Sequence, residues 1–147
     1  MKKKCSHLPL SDQEINQLLE MANLKKTPLK KEILKILSES KNPMAVSDIR
    51  KKLKLPCNPS TIFRSITQFK EKLLLKECHL GEEFFRYELI DSKDHSHHHH
   101  HVRCRDCGII SRLDLCGLEK FEKSIRKMGF KGITHSLEFS GICAKCV

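Results

Sequence analysis

Residues 58–73 read NPSTIFRSITQFKEKL, and this stretch decides the fold. Asn58-Pro59 is a helix start. The Asn side chain can accept from an early helical N–H, and the fixed φ of proline suits the first turn. Ile62, Ile66, Phe69 and Leu73 follow at spacings of 4, 3 and 4, which places them on one helical face. With that face buried, Ser60, Thr61, Phe63, Arg64, Thr67 and Gln68 lie on or near the open one. Hydroxyls, a guanidinium and an amide are groups that meet phosphates and base edges, and an exposed Phe63 can pack on a thymine methyl. The plainer reading is an amphipathic helix with a solvated polar face.

The flanking sequence favours nucleic acid. Upstream, Ser11 with Glu14 is a capping box ahead of Ile15, Leu18, Leu19 and Ala22 at helical spacing. Thr27-Pro28 opens a second helix with Leu29, Ile33, Leu34, Ile36 and Leu37 facing inward. Asn42-Pro43 breaks it, Ser47 opens a short helix with Ile49 and Leu53, and Pro56 breaks that. Downstream, residues 75–80 and 84–90 are strand-like runs separated at Gly81. Helices followed by a β-hairpin is the order of a winged helix.

Composition points the same way. The chain has 147 residues, 8 cysteines, 9 histidines and a net charge of +10. That charge suggests a polyanionic partner. It is spread widely: residues 1–91 carry 18 Lys and Arg against 12 Asp and Glu, and residues 92–147 carry 10 against 6. Nothing approaches an apolar membrane span, and the basic start lacks the apolar core of a secretory signal. A cytoplasmic protein with reduced thiols is expected, so the cysteines read as metal ligands before disulfides. Eight of the nine histidines and six of the eight cysteines lie from Cys78 onward. The shift falls at the polar stretch Asp91-Ser92-Lys93-Asp94, which reads as a hinge between modules 1–91 and 92–147.

Cys104-Arg-Asp-Cys107 and Cys143-Ala-Lys-Cys146 are the most specific signal. Two thiolates separated by two residues can meet one ion from a tight turn, and two such pairs make the tetrahedral site of a structural zinc. The ion would tie both ends of a module too short to build a large core unaided. No thioredoxin-like pattern supports a redox reading. Cys5, Cys57, Cys78 and Cys116 lack ligand spacing and read as ordinary thiols.

His97 to His101 leads straight into the first pair. As a strand, it would point His97, His99 and His101 to one face and His98 and His100 to the other. Such a strand can feed two metal sites. Glu88 suits the first face, and Glu119 and His135 suit the second. Glu119 lies in a predicted helix over residues 118–128 whose inner residues are Leu118, Phe121, Ile125 and Met128. His135 begins a predicted strand to Phe139.

From about Leu24 to Cys146 the chain resembles the ferric uptake regulator superfamily of metal-responsive transcription regulators. The resemblance rests on Lys26-Thr27-Pro28-Leu29-Lys30 with Ile33-Leu34, Ser60-Thr61-Ile62-Phe63-Arg64, Arg86-Tyr87-Glu88-Leu89, and His97 through Gly108. His135-Ser136-Leu137-Glu138, Gly141 and Cys143 to Cys146 complete it. It implies an α+β fold, with an N-terminal winged-helix DNA-binding domain and a small α/β dimerisation domain holding a structural zinc. It further implies a homodimer that binds palindromic double-stranded DNA operators, usually as a repressor, when a regulatory divalent metal closes the hinge.

Carried over by residue, Cys104, Cys107, Cys143 and Cys146 match the structural zinc site. Glu88, His99 and His101 match the hinge-spanning regulatory site. His98, His100, Glu119 and His135 match a second site in the dimerisation domain. Ser60, Thr61, Phe63, Arg64 and Gln68 are the expected DNA-contacting residues.

Three positions depart from the family pattern. Asn42 stands where a metal-ligating His often precedes the Pro, and Phe63 where Tyr is usual. Arg112 replaces an Asp of the peroxide-sensing iron site, which points to zinc-uptake or iron-type members ahead of peroxide sensors. Zn2+ or Fe2+, with Mn2+ third, is the expected regulatory ion. The competing class is a zinc-stapled metal-buffering or protein-interaction module without switched DNA binding. No catalytic arrangement suggests an enzyme.

Overall fold

A computed structural model of the chain describes residues 9–90, 100–113, 117–133 and 135–147. The chain divides into two compact units, residues 1–93 and 94–147.

In the first unit the element order is α1 (Asp12–Met21), α2 (Pro28–Glu39), β1 (Met44–Ala45), α3 (Val46–Lys52), α4 (Pro59–Glu71), β2 (Leu75–Cys78) and β3 (Arg86–Leu89). The helix starts follow from the caps. Ser11 and Glu14 form the capping box on α1, Thr27 accepts from Lys30 N–H ahead of α2, and Asn58 accepts from Ser60 N–H ahead of α4. One hydrophobic core joins Ile15 and Leu19 of α1, Ile33, Leu34 and Leu37 of α2, Ile49 of α3, and Ile62, Ile66 and Phe69 of α4. Leu75 and Tyr87 close it from the sheet. Each fully buried apolar side chain contributes on the order of 1.5–3 kcal/mol.

β2 and β3 form an antiparallel hairpin turned at Gly81, whose φ of +70° favours glycine. Both strands are shorter than their apolar runs. β1 adds a third strand on the other edge of β3, pairing Met44 with Tyr87 and Ala45 with Arg86. Its two residues are too short for a periodic signal. Leu73 also differs from expectation. It lies beyond the end of α4 with φ +55° and is exposed, so the buried stripe stops at Phe69. The Leu74 N–H donates to the Phe69 carbonyl across this residue, a left-handed helix stop that turns Leu73 outward.

The second unit holds β4 (His100–Cys104), β5 (Ile110–Leu113), α5 (Glu119–Lys127) and β6 (Glu138–Gly141). Its sheet order is β5-β4-β6, antiparallel between β4 and β5 and parallel between β4 and β6. The strand expected from His135 begins instead at Glu138. The apolar stripe of α5 is not an inner face in the single chain. Phe121 is 66% exposed and Met128 74%, and no residue of α5 is buried. The periodicity correctly finds an amphipathic helix, but among the described residues Phe121 and Met128 of its stripe stay exposed. Among the described residues no helix is long and apolar enough to cross a membrane.

Candidate metal centre and nucleic-acid interface

The four cysteines meet on the second unit. Each CxxC pair forms a tight turn: Gly108 N–H donates to the Cys104 carbonyl at 3.0 Å, and Cys146 N–H to the Cys143 carbonyl at 2.8 Å. Gly108 takes φ +72°, which suits the residue following the first pair. Parallel pairing of Cys104 with Gly141 brings the second pair beside the first.

The Sγ atoms of Cys104, Cys107, Cys143 and Cys146 all lie within 4.8 Å of one another. Cys107 Sγ is 3.7 Å from Cys143 Sγ, and Cys143 Sγ is 3.6 Å from Cys146 Sγ. Tetrahedral Zn–S bonds of about 2.3 Å would space the sulfurs about 3.8 Å apart, so the donor set fits zinc.

The surroundings favour thiolate at Cys104 and the protonated thiol at Cys146. Backbone N–H groups of Cys107, Cys143 and Asp106 pull the Cys104 thiol down to about 6. Bonding to the neighbouring sulfurs, that of Cys107 foremost, pushes Cys146 up to about 12. Zinc binding must displace the protons retained on such thiols.

His100 and His101 are adjacent on β4 and point to opposite faces of the strand, and both are buried. His97, His98 and His99 lie outside the described residues. His101 pairs across the sheet with Arg112 on one side and Glu138 on the other.

On the other face, the ring of His100 stacks on that of His135 with centroids 5.3 Å apart. His135 Nδ1 is 2.8 Å from a carboxylate oxygen, and that carboxylate belongs to Glu122. Glu119 is exposed in the first turn of α5. Both acids lie on one helix three residues apart, so sequence spacing alone does not choose between them.

In the first unit, Glu88 lies on β3 paired with Lys76, whose ammonium is 2.5 Å from its carboxylate. Cys78 Sγ is 3.7 Å from Glu88 Oε1. Cys78 is buried, on the hairpin face opposite Leu75 and Tyr87. Sequence spacing gave Cys78 no role; only the register of β2 against β3 puts it on the face that carries Glu88.

The face of α4 is as its pattern predicts. Ser60, Thr61, Phe63, Arg64 and Thr67 are exposed, and Gln68 is half-buried. Phe63, Arg64, Ser60 and Thr67 line a shallow surface groove with Val46 and Pro59. Two hydroxyls are already engaged: Ser60 Oγ donates to Asn58 Oδ1 and Thr67 Oγ1 to the Phe63 carbonyl, both at 3.0 Å.

Comparison with known proteins agrees with this layout. The sequence model of the Ferric uptake regulator family matches residues 21–140. The Peroxide operon regulator of Bacillus subtilis (strain 168) is 31% identical over 137 residues, covering 90% of this chain and 91% of that protein. The Ferric uptake regulation protein of the same organism is 27% identical over 137 residues with the same coverage.

Among solved structures, the Vibrio cholerae ferric uptake regulator aligns with a TM-score of 0.73 at 28% identity, covering 87% of this chain and 98% of that one. The ferric uptake regulator of Pseudomonas aeruginosa with manganese aligns with a TM-score of 0.71 at 27% identity, covering 88% and 98%. That of Francisella tularensis with iron gives 0.68 at 28% identity, covering 84% and 94%.

Proposed function

The chain belongs to the ferric uptake regulator family, and from that premise we propose that it is a metal-dependent transcriptional repressor. It binds palindromic operators in double-stranded DNA as a homodimer and works in the cytoplasm. The observation that carries this reading is the open face of α4. Its apolar stripe is buried while Ser60, Thr61, Phe63 and Arg64 are presented to solvent. A helix so placed can enter the major groove, with Arg64 in reach of phosphate or a base edge and Phe63 suited to a thymine methyl.

The uncovered apolar face of α5 is suited to a second copy of the chain, and a two-fold dimer matches a two-fold operator. The four cysteines would hold a structural zinc. Glu88, His99 and His101, the residues that match the family's regulatory site, would hold the regulatory ion. A bound divalent cation supplies a cross-link that selects one angle between the modules. Operator binding then raises metal affinity by the same factor that metal raises operator affinity. Zinc suits a set of histidines with one carboxylate, and iron and manganese are the alternatives. Arg112, opposite His101 in the sheet, cannot serve as a ligand and argues against the peroxide-sensing arrangement.

A gel-shift titration tests the reading at fixed salt, using a palindromic promoter fragment with zinc, manganese or ferrous iron. At least one metal should raise specific affinity. The same affinity with every metal and with chelator would overturn it and favour a metal-buffering module.

A further inference from the structure

His100 and His135 each engage Nδ1 with a fixed acceptor. His100 Nδ1 is 3.0 Å from the Leu137 carbonyl oxygen. A carbonyl only accepts, so Nδ1 carries the proton and Nε2 the lone pair in the neutral ring. His135 Nδ1 is 2.8 Å from Glu122 Oε1, and an ionised carboxylate imposes the same tautomer. The two rings stack at 5.3 Å with planes 27° apart. Two adjacent imidazoles are therefore both polarised for ligation through Nε2. A carboxylate or carbonyl on the other ring nitrogen is the outer contact that orients a metal-binding histidine and raises its basicity.

Glu122 is held to this task. It is half-buried on α5, and the Arg126 guanidinium lies 3.8 Å from its other oxygen. The oxygen bonded at Nδ1 lies across the imidazole from Nε2, so it does not share the ion's position.

We propose that Glu122 is the positioning carboxylate of a divalent-metal site at His100 and His135: it fixes the Nδ1–H tautomer of His135 so that Nε2 meets the ion. This rests on the reading that these two histidines bind metal. It assigns to Glu122 an outer role in place of direct ligation.

The test uses the full chain with its structural zinc retained, and zinc titrated against a chromophoric chelator. His135→Ala should lose one zinc-binding event per chain. Glu122→Ala should weaken that event by about 10–100-fold, the usual effect of removing an outer partner. Glu122→Gln, whose amide oxygen still accepts from Nδ1–H, should stay within a few-fold of the parent. Long-range 15N NMR of His135 in the zinc-free second site should show the Nδ1–H tautomer in the parent and Glu122→Gln, and a mixture in Glu122→Ala.

An unchanged tautomer and affinity in Glu122→Ala would overturn the inference. So would Glu122→Gln falling as far as Glu122→Ala, because the carboxylate would then act through its charge or by direct ligation and not by fixing the tautomer. Full zinc binding by His135→Ala would instead overturn the site itself, and the inference with it.

Discussion

Cys107 Sγ and Cys143 Sγ lie 3.7 Å apart although 36 positions separate them in sequence. Contact between sulfurs so distant in the chain is what a shared ion provides in a unit where α5 has no fully buried residue. Cys143→Ser should release about one zinc per chain and loosen the second unit, since a structural zinc contributes about 10–16 kcal/mol of binding free energy to folding. Native mass spectrometry reads the zinc content directly. A variant with full zinc and an unchanged dimer would exclude the four-cysteine assignment.

Phe121 and Met128 stand exposed on the same amphipathic helix, with Ile125 half-buried between them. If a second copy covers this face, Phe121→Glu places a charge in an apolar interface and leaves it without a partner. Sedimentation of the variant should shift from dimer toward monomer, with specific operator affinity falling in parallel. A dimer of parental strength would move the interface away from α5.

The sequence was most legible where local chemistry and long-range packing agree. Asn58-Pro59 starts α4, and Ile62, Ile66 and Phe69 are all buried. Paired CxxC turns are equally local in their logic, since two residues of spacing fix where both thiols can point. Legibility failed where the partner is supplied by tertiary or quaternary structure. Periodicity in α5 marks an apolar face without saying whether Phe121 and Met128 end up buried or exposed. Glu119 and Glu122 share a helix, and the fold of the segment leading to β6 brings His135 to Glu122. Cys78 required the register of β2 against β3 before its place near Glu88 could be read.

Leu73 adopts φ +55° directly after α4 and is 76% exposed, so it bears the steric cost of the left-handed region with little burial in return. That cost is roughly 1–2 kcal/mol for an L-residue with a side chain. Glycine removes it but adds unfolded-state entropy of about 0.4–1 kcal/mol. Leu73→Gly should therefore stabilise the first unit modestly, by roughly 0.5–1 kcal/mol from the difference of those terms. Urea denaturation at unchanged m checks it. A lower midpoint would mean that the Leu73 side chain packs usefully in the folded protein or its dimer.

Arg64 occupies the open side of α4 one residue after exposed Phe63 and two after fully buried Ile62. Its neighbour Ser65 is turned inward and donates to the Thr61 carbonyl at 3.0 Å, which leaves Arg64 as the cation in the middle of the presented face. Arg64→Ala should weaken specific DNA binding by roughly 1–3 kcal/mol if the guanidinium reads a base, and relax preference at that base pair. If it meets only phosphate, binding should weaken alike on all sequences, and the dependence on salt should become shallower by about one counterion. Filter binding across a salt series, with operator and scrambled duplexes, separates the two. Parental affinity and slope on both duplexes would remove Arg64, and with it this face of α4, from the interface.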